Sequence, residues 1–109
     1  MATFFRTKLV QGIGTTPTDI IATNANNRFT ILGCNLANII EDNTTVDITV
    51  VDASSTEVYY IKGIVIPANS SLKVVTNGEK LILAENCSLR IVTDVADSVD
   101  AVISYAEII

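Results

Sequence analysis

The sequence contains no histidine and no tryptophan, and it has only two cysteines and two prolines in 109 residues. Without histidine, the commonest general base is missing, and Ser–His–Asp and Cys–His catalytic arrangements are excluded. Two cysteines without histidine cannot supply the four ligands of a structural zinc site. These absences predict a protein that is not an enzyme, with no catalytic residues, no metal and no cofactor.

Positive charge and long apolar runs are also scarce. Charged residues make up 17% of the chain, the net charge is −5, and the seven Lys and Arg residues never cluster, so nucleic-acid binding is not expected. No apolar run approaches the roughly 20 residues of a membrane helix, so we expect no membrane association. Arg6 and Lys8 interrupt the N-terminal residues too early for a secretory signal. We therefore expect a soluble protein made in a cytoplasm.

The two cysteines, Cys34 and Cys87, fall on different predicted strands. A disulfide between two sheets, as in immunoglobulin domains, is one alternative, although the tryptophan that packs on that bond is absent. In a reducing cytoplasm, buried free thiols that behave as small apolar side chains are the favoured interpretation.

What the sequence does contain is a series of short runs of Val, Ile, Leu and Thr, each closed by Asn, Gly, Ser or Asp. These residue types favour strands, and Thr44–Asp52 alternates most clearly between apolar and polar positions. Asn77-Gly78 predicts a hairpin between the runs on either side of it. No segment has helical spacing. After an N-terminal strand or arm at Thr3–Val10, the predicted strands are Asp19–Ala22, Arg28–Ala37, Thr44–Asp52, Glu57–Ile66, Ser70–Thr76, Glu79–Ala84, Ser88–Thr93 and Val99–Ile108.

About eight short strands separated by turns predict an all-β chain with little or no helix, folded as a single antiparallel β-sandwich, Ig-like or jelly-roll-like. Residues 18–109 form the predicted sandwich domain, and residues 1–17 form the N-terminal strand or docking arm with its loop. Two roles for Thr3–Val10, which carries Phe4 and Phe5, stay open: it adds a strand to a neighbour's sheet, or it begins the chain's own sandwich.

Within Arg28–Ala37, the alternation places Phe29 and Ile31 on one face and Leu32 and Cys34 on the other, and Gly33 indicates a bulge or a close backbone approach.

Several predicted strands are apolar on both faces, since Val75, Ile82, Val92 and Val102 lie opposite the main apolar positions of their strands. Either these strands are covered on both sides, or the second face meets another subunit. Tyr59-Tyr60 places one ring on each face of its strand, where the outward ring could bind a sugar or a subunit. The candidate subunit-interface residues are Phe4, Phe5, Leu9, Tyr59, Tyr60, Val75, Ile82 and Val92.

Two acidic turns, Asp94–Asp100 and Glu41-Asp42 with Asp47, are the candidates for a calcium site. Neither has the spacing of an EF-hand loop, so solvated turns are the favoured interpretation.

The chain resembles small structural proteins in the virions of tailed bacteriophages, particularly cyanobacterial and marine phages. The resemblance covers most of the chain from about Thr18 onward and is carried by turn and core patterns: Arg28–Asn35 (RFTILGCN), Val46–Val51, Ile66–Leu72 (IPANSSL), Lys80–Leu83 (KLIL) and Val99–Ile108 (VDAVISYAEI). It departs from the family at Glu85-Asn86, where Gly-Asp is common.

This resemblance implies a β-sandwich without catalytic residues, which decorates or cements a capsid after assembly in the host cytoplasm. The implied partners are the major capsid protein, other virion proteins and copies of the chain itself, with a trimer expected. The alternatives are a neck, tail or fibre protein of the virion, or a carbohydrate-binding or adhesin module.

Overall fold

The structure, a computed structural model, describes residues 2–75 and 79–109. This part of the chain is all-β, as predicted, and it has no helix long and apolar enough to cross a membrane. Its nine strands are β1 (Thr3–Ile13), β2 (Thr18–Ala22), β3 (Arg28–Asn38), β4 (Thr44–Val51), β5 (Glu57–Ile66), β6 (Ser71–Val75), β7 (Leu81–Leu83), β8 (Ser88–Thr93) and β9 (Val99–Ile108).

The strands form two antiparallel sheets that pack face to face. The first sheet has the order β1-β9-β3-β6, with β7 also paired to β3, and the second has the order β2-β8-β4-β5. The pairing runs from the ends of the chain inward: β1 with β9, β2 with β8, β3 with β6 and β7, and β4 with β5. This is the connectivity of a jelly roll, in which one long antiparallel ribbon wraps around a core. Of the two predicted sandwich types, the structure therefore has the jelly-roll type.

β6 and β7 are two parts of one interrupted strand. β7 pairs with Phe29–Ile31 of β3, whereas β6 pairs with Cys34–Ala37, and both run antiparallel to β3. The two strands thus lie end to end and point the same way. The predicted hairpin pairing between them is wrong, because both find their ladder partner on β3; the Asn77-Gly78 pair itself lies outside the described residues.

A single core lies between the two sheets. Its largest fully buried side chains are aliphatic, and each contributes roughly 1.5–3 kcal/mol relative to an exposed position. They are Ile13, Ile20, Ile31, Leu36, Val46, Ile48, Ile66, Leu83, Leu89, Ile91, Val99 and Ile103. The last strand, β9, is central in its sheet, because it lies between β1 and β3. Its side chains at Val99, Ala101 and Ile103 are buried in the core. The core therefore joins the two sheets through their central strands.

A β-bulge in β3 changes the predicted faces of that strand. The register with β9 shifts between Ile31 and Gly33, so Leu32 is an extra residue in the ladder. The bulge predicted at Gly33 is confirmed. Its consequence corrects the predicted faces: Cys34 is buried on the same side as Ile31, because the inserted residue reverses the alternation beyond it.

The N-terminal strand belongs to the chain's own sheet. β1 pairs with β9 from Thr3 to Val10 and again at Ile13, and Ala2 and Ile109 exchange backbone hydrogen bonds of 3.1 and 2.9 Å. β1 is nevertheless an edge strand whose residues from Thr3 to Leu9 are exposed. The division into residues 1–17 and 18–109 stays a prediction.

Candidate functional site

The outer face of the first sheet, directed away from the core, exposes several large apolar side chains among polar ones. Residues that pair directly across neighbouring strands project from the same face. One row therefore runs from Phe5 through Ala106 and Thr30 to Ile82, and a second contains Leu9 and Val102. The bulge adds Leu32 to this face. We refer to Phe5, Leu9, Leu32, Ile82 and Val102 as the apolar face.

These side chains are unusually exposed for their type. The exposed fraction is 79% for Phe5, 71% for Leu9 and 68% for Ile82. Single exposed apolar residues are normal on monomers, but a contiguous apolar surface rimmed by polar residues marks an interaction site. Two shallow depressions of about 390 and 400 Å³ flank Val102 on this face. The face therefore offers a partner both exposed apolar side chains and shallow depressions.

The outer face of the second sheet is different, because charged side chains cover its centre. Arg90 Nε donates to Asp19 Oδ1 at 2.8 Å, and its Nη1 donates to Glu57 Oε1 at 3.2 Å. Thr49 Oγ1 donates to the other Glu57 oxygen at 2.7 Å. The hydrogen bond and charge of Asp19 raise the pKa of Arg90 above its ordinary value. This network is typical of a face that meets water.

The lateral edge of the second sheet is a second apolar surface. All but two residues of β5 are exposed, and the side chains of Val58, Tyr59, Tyr60, Ile64 and Val65 are between 37% and 57% accessible. We call these five residues the β5 edge. Lys62 Nζ lies 4.3 Å from the centre of the Tyr59 ring, so a cation occupies one face of the ring proposed to bind a sugar.

Two irregularities shape the β5 edge. The register of β4 with β5 shifts on both sides of Ile48. At one shift Gly63 has a φ of +68°, and its N–H donates to Asp47 Oδ1 at 2.7 Å. Bulges of this kind keep an edge from adding further strands. The β5 edge is therefore suited to side-chain packing rather than to strand addition.

The predicted interface residues fall in five places. Phe5, Leu9 and Ile82 come together on the apolar face, and Tyr59 and Tyr60 lie on the β5 edge. The remaining three lie elsewhere. Phe4 is on the other side of β1, where its ring lies 5.1 Å from the Arg6 guanidinium carbon; Val92 is part-buried on the outer face of the second sheet; and Val75 is buried.

Val75 corrects the predicted set. It is only 4% exposed and belongs to the core together with Val74. The register of β3 with β6 shifts between Cys34 and Asn35, which breaks the alternation on which the prediction depended. Val58, Ile64 and Val65 were not predicted. Val58 and Ile64 are inward positions that stay exposed because β5 overhangs its partner sheet, whereas Val65 lies on the outer face, opposite Thr45 and beyond the register shifts.

Three acidic residues of the two turns, Asp47, Asp94 and Asp100, accept hydrogen bonds from backbone N–H groups. Asp94 Oδ1 accepts hydrogen bonds from the Thr45 N–H at 2.8 Å and from Thr44 Oγ1 at 3.2 Å, and these bonds lower the pKa of Asp94, the backbone bond most. Asp100 Oδ1 accepts from the Gly12 N–H at 2.9 Å. Over residues 2–75 and 79–109, no three potential metal ligands cluster. The carboxylates tie loops and strands together.

Both cysteines are free thiols, as favoured from the sequence. Cys34 is buried, and burial raises the pKa of its thiol to about 12. Cys87 is part-buried in the turn before β8, where its Sγ contacts the carbonyl oxygen of Glu85 at 3.5 Å.

Comparison with known proteins gives the fold relationship only. No protein-family model matches the chain. No curated protein sequence matches it either. Among solved structures, a chain from Bacillus endospore appendages, described as disulfide-linked pili, is similar with a TM-score of 0.59 and 13% identity over 96% of this chain and 86% of that one.

Two viral particles contain similar chains. The capsid of Helicobacter pylori bacteriophage KHP30 gives a TM-score of 0.52 and 8% identity over 100% of this chain and 89% of that one. The T13 particle of IBDV gives a TM-score of 0.51 and 12% identity over 96% of this chain, which spans only 30% of the viral chain. The protein thus shares its fold with chains from a pilus and from two viral particles.

Proposed function

We propose that this chain is a non-enzymatic structural protein of a bacteriophage particle, in which it decorates or cements the capsid. The observation that carries the proposal is the apolar face, which exposes Phe5, Leu9 and Ile82 on one side of the first sheet. Water contact with such a face is unfavourable, and docking on a neighbouring subunit removes it. The partners proposed are the major capsid protein and further copies of this chain.

Two features support this role. The fold occurs in a phage capsid chain, most of whose length this chain spans. The two sheets also differ in chemistry, since the second presents the Asp19–Arg90–Glu57 network to the outside. A subunit on the surface of a particle needs one face for docking and another for water. The location is the virion, and assembly takes place in the host cytoplasm.

Rebinding to particles that lack the chain tests the proposal. Phage particles made without this protein should still form, should break at lower temperature, and should regain stability when purified protein is added. The variant Leu9→Lys with Ile82→Lys should not rebind, because it places two charges on the apolar face. The matched control Thr15→Lys with Asn26→Lys adds the same charge at exposed positions in loops and should rebind. Absence of the chain from purified virions would exclude the proposal, whereas copies confined to the neck, tail or fibres would exclude only the capsid position.

A second candidate is a subunit of a filamentous surface appendage. The similarity to the Bacillus appendage chain, over most of both chains, favours it. Electron microscopy of the concentrated protein distinguishes the two: regular filaments formed from the protein alone favour an appendage, and binding to particles without filament formation favours the virion.

A further inference from the structure

The chain carries two apolar surfaces that differ in residues and position. The apolar face is on the outside of the first sheet. The β5 edge is the lateral margin of the second sheet, on the side away from β1, because β1 packs over β2 and β8 at the opposite margin. We infer that copies of the chain associate head to tail, with the apolar face of one copy against the β5 edge of the next. This inference rests on the proposed structural role and names the contact.

The sizes of the two surfaces favour this arrangement. Each has five large apolar side chains that are at least 37% exposed, with areas on the order of the 300–600 Å² that is the largest apolar patch on a typical monomer. Two patches of that size bury about 600–1,200 Å² together, a range that includes the roughly 1,000 Å² of a specific contact. A symmetric dimer through either surface leaves the other in water. Head-to-tail contact covers both.

The charges of the two sheets also favour contact between different sheets of neighbouring copies. The outer face of the first sheet carries two basic residues (Arg28 and Lys73) and one acidic residue (Asp100), whereas Arg6, Lys8 and Glu107 lie on its other side with Phe4. The strands of the second sheet carry two basic residues (Lys62 and Arg90) and three acidic ones (Asp19, Asp47 and Glu57), and Asp52 adds another at the turn into β5. Two first sheets placed face to face bring like charges together, whereas first against second brings opposite charges together.

The geometry also determines how the contact propagates. Because the register shifts and Gly63 in β5 oppose strand addition, the contact is made by side chains of the β5 edge. The two surfaces of one copy are different, so a head-to-tail pair still has one apolar face and one β5 edge free for further neighbours. Such a heterologous contact generates a closed ring or an open filament rather than a two-fold dimer.

Complementation between two variants tests the inference. The apolar-face variant is Leu9→Lys with Ile82→Lys, and the β5-edge variant is Tyr59→Glu with Val65→Glu. Light scattering measures the molar mass of each protein alone and of their mixture, up to about 1 mM, where a contact of millimolar Kd is half formed. Wild type should exceed two chains, and each variant alone should have the single-chain mass of 11.7 kDa.

The mixture decides the question. Each variant keeps one good surface, so an equimolar mixture should form a terminated pair with twice the single-chain mass. The control Thr15→Lys with Asn26→Lys should assemble like wild type, and circular dichroism should show that every variant is folded. A mixture that keeps the single-chain mass, or one variant that dimerises alone, would overturn the inference. So would a wild type that stays single-chain; if that protein still rebinds particles, the proposed function survives.

Discussion

Leu9 on β1 and Val102 on β9 stand directly opposite each other, and both side chains lie on the outer face of the first sheet, 71% and 45% exposed. In a monomer, the exposed apolar surface of this pair adds little to the stability of the fold, because apolar surface is stabilising only when it is buried. In the proposed assembly, a neighbouring subunit covers this pair.

Replacement of Leu9 by Gln should leave the fold intact but weaken association. Leu9 is exposed, so the free energy of unfolding should change by no more than about 0.5 kcal/mol, as for most surface substitutions. The comparison is Leu36→Ala on the opposite side of the same sheet. Loss of this fully buried side chain should lower the free energy of unfolding by about 2–5 kcal/mol. Urea unfolding measures both. A loss at Leu9 as large as that at Leu36 would show that Leu9 packs in the core.

Gly63 should be sensitive to substitution through its backbone alone. Its φ of +68° is in the left-handed region, yet nothing lies within 4 Å of an added Cβ, so Gly63→Ala should cost about 1–2 kcal/mol as pure backbone strain. Gly63→Asn should cost less, because Asn tolerates this conformation. Gly33→Ala is the control, since Gly33 has open space and no positive φ. Thermal unfolding should rank the Gly63→Ala variant below both the Gly63→Asn and the Gly33→Ala variants; equal stability would contradict the conformation at this bulge.

Asp94 should make stability depend on pH in acid. The Thr45 N–H lowers the pKa of Asp94 in the folded chain below its ordinary 3.8. The ionised carboxylate therefore contributes fully to the free energy of unfolding above pH 3.8, and this contribution is lost as the pH falls through the lower pKa of the folded chain. Asp94→Asn should therefore be less stable than wild type at about pH 6, and the difference should shrink as the pH falls below 3.8. Thermal unfolding from about pH 2.5 to 7 measures this difference, with Glu41→Gln in an exposed loop as the control. A constant gap between Asp94→Asn and wild type would contradict a role for the charge.

The two cysteines should differ in reactivity. Burial raises the pKa of Cys34 to about 12, and the thiolate is the reactive form, so native protein at pH 8 should resist alkylation there. Cys87 is part-buried and should be modified first. Mass spectrometry should find one label in native protein and two in denaturant. Rapid native labelling of Cys34 would contradict its place in the core.

Much of the architecture follows from the sequence, because a period of two identifies strands and their faces. Thr44–Asp52 was predicted within one residue of β4, and the absence of helical spacing in the chain agrees with the all-β fold of the described residues. Alternation does not specify which strands pair. The residues beside Asn77-Gly78 were therefore predicted as a hairpin, although β6 and β7 both pair with β3.

The candidate site was predictable only in part, for the same physical reason. Ile82 and Val102 lie on the face opposite the core, as their alternation indicates. Bulges interrupt the alternation elsewhere. The extra residue at Leu32 moves Cys34 inward, and the register shift between β3 and β6 buries Val75. The β5 edge depends on how far one sheet overhangs the other, which is a tertiary property.

Footprinting of the assembled state tests the central claim most directly. Hydroxyl radicals label exposed side chains, and Phe5, Leu9 and Ile82 are the most exposed apolar residues of the first sheet. The account predicts that their labelling falls several-fold when the chain is bound in a particle or oligomer. Exposed residues of the loops, such as Ile39, should keep the labelling of the free chain unless a neighbour touches them. Equal labelling of Phe5, Leu9 and Ile82 in the free and assembled chain would contradict a docking role for this face.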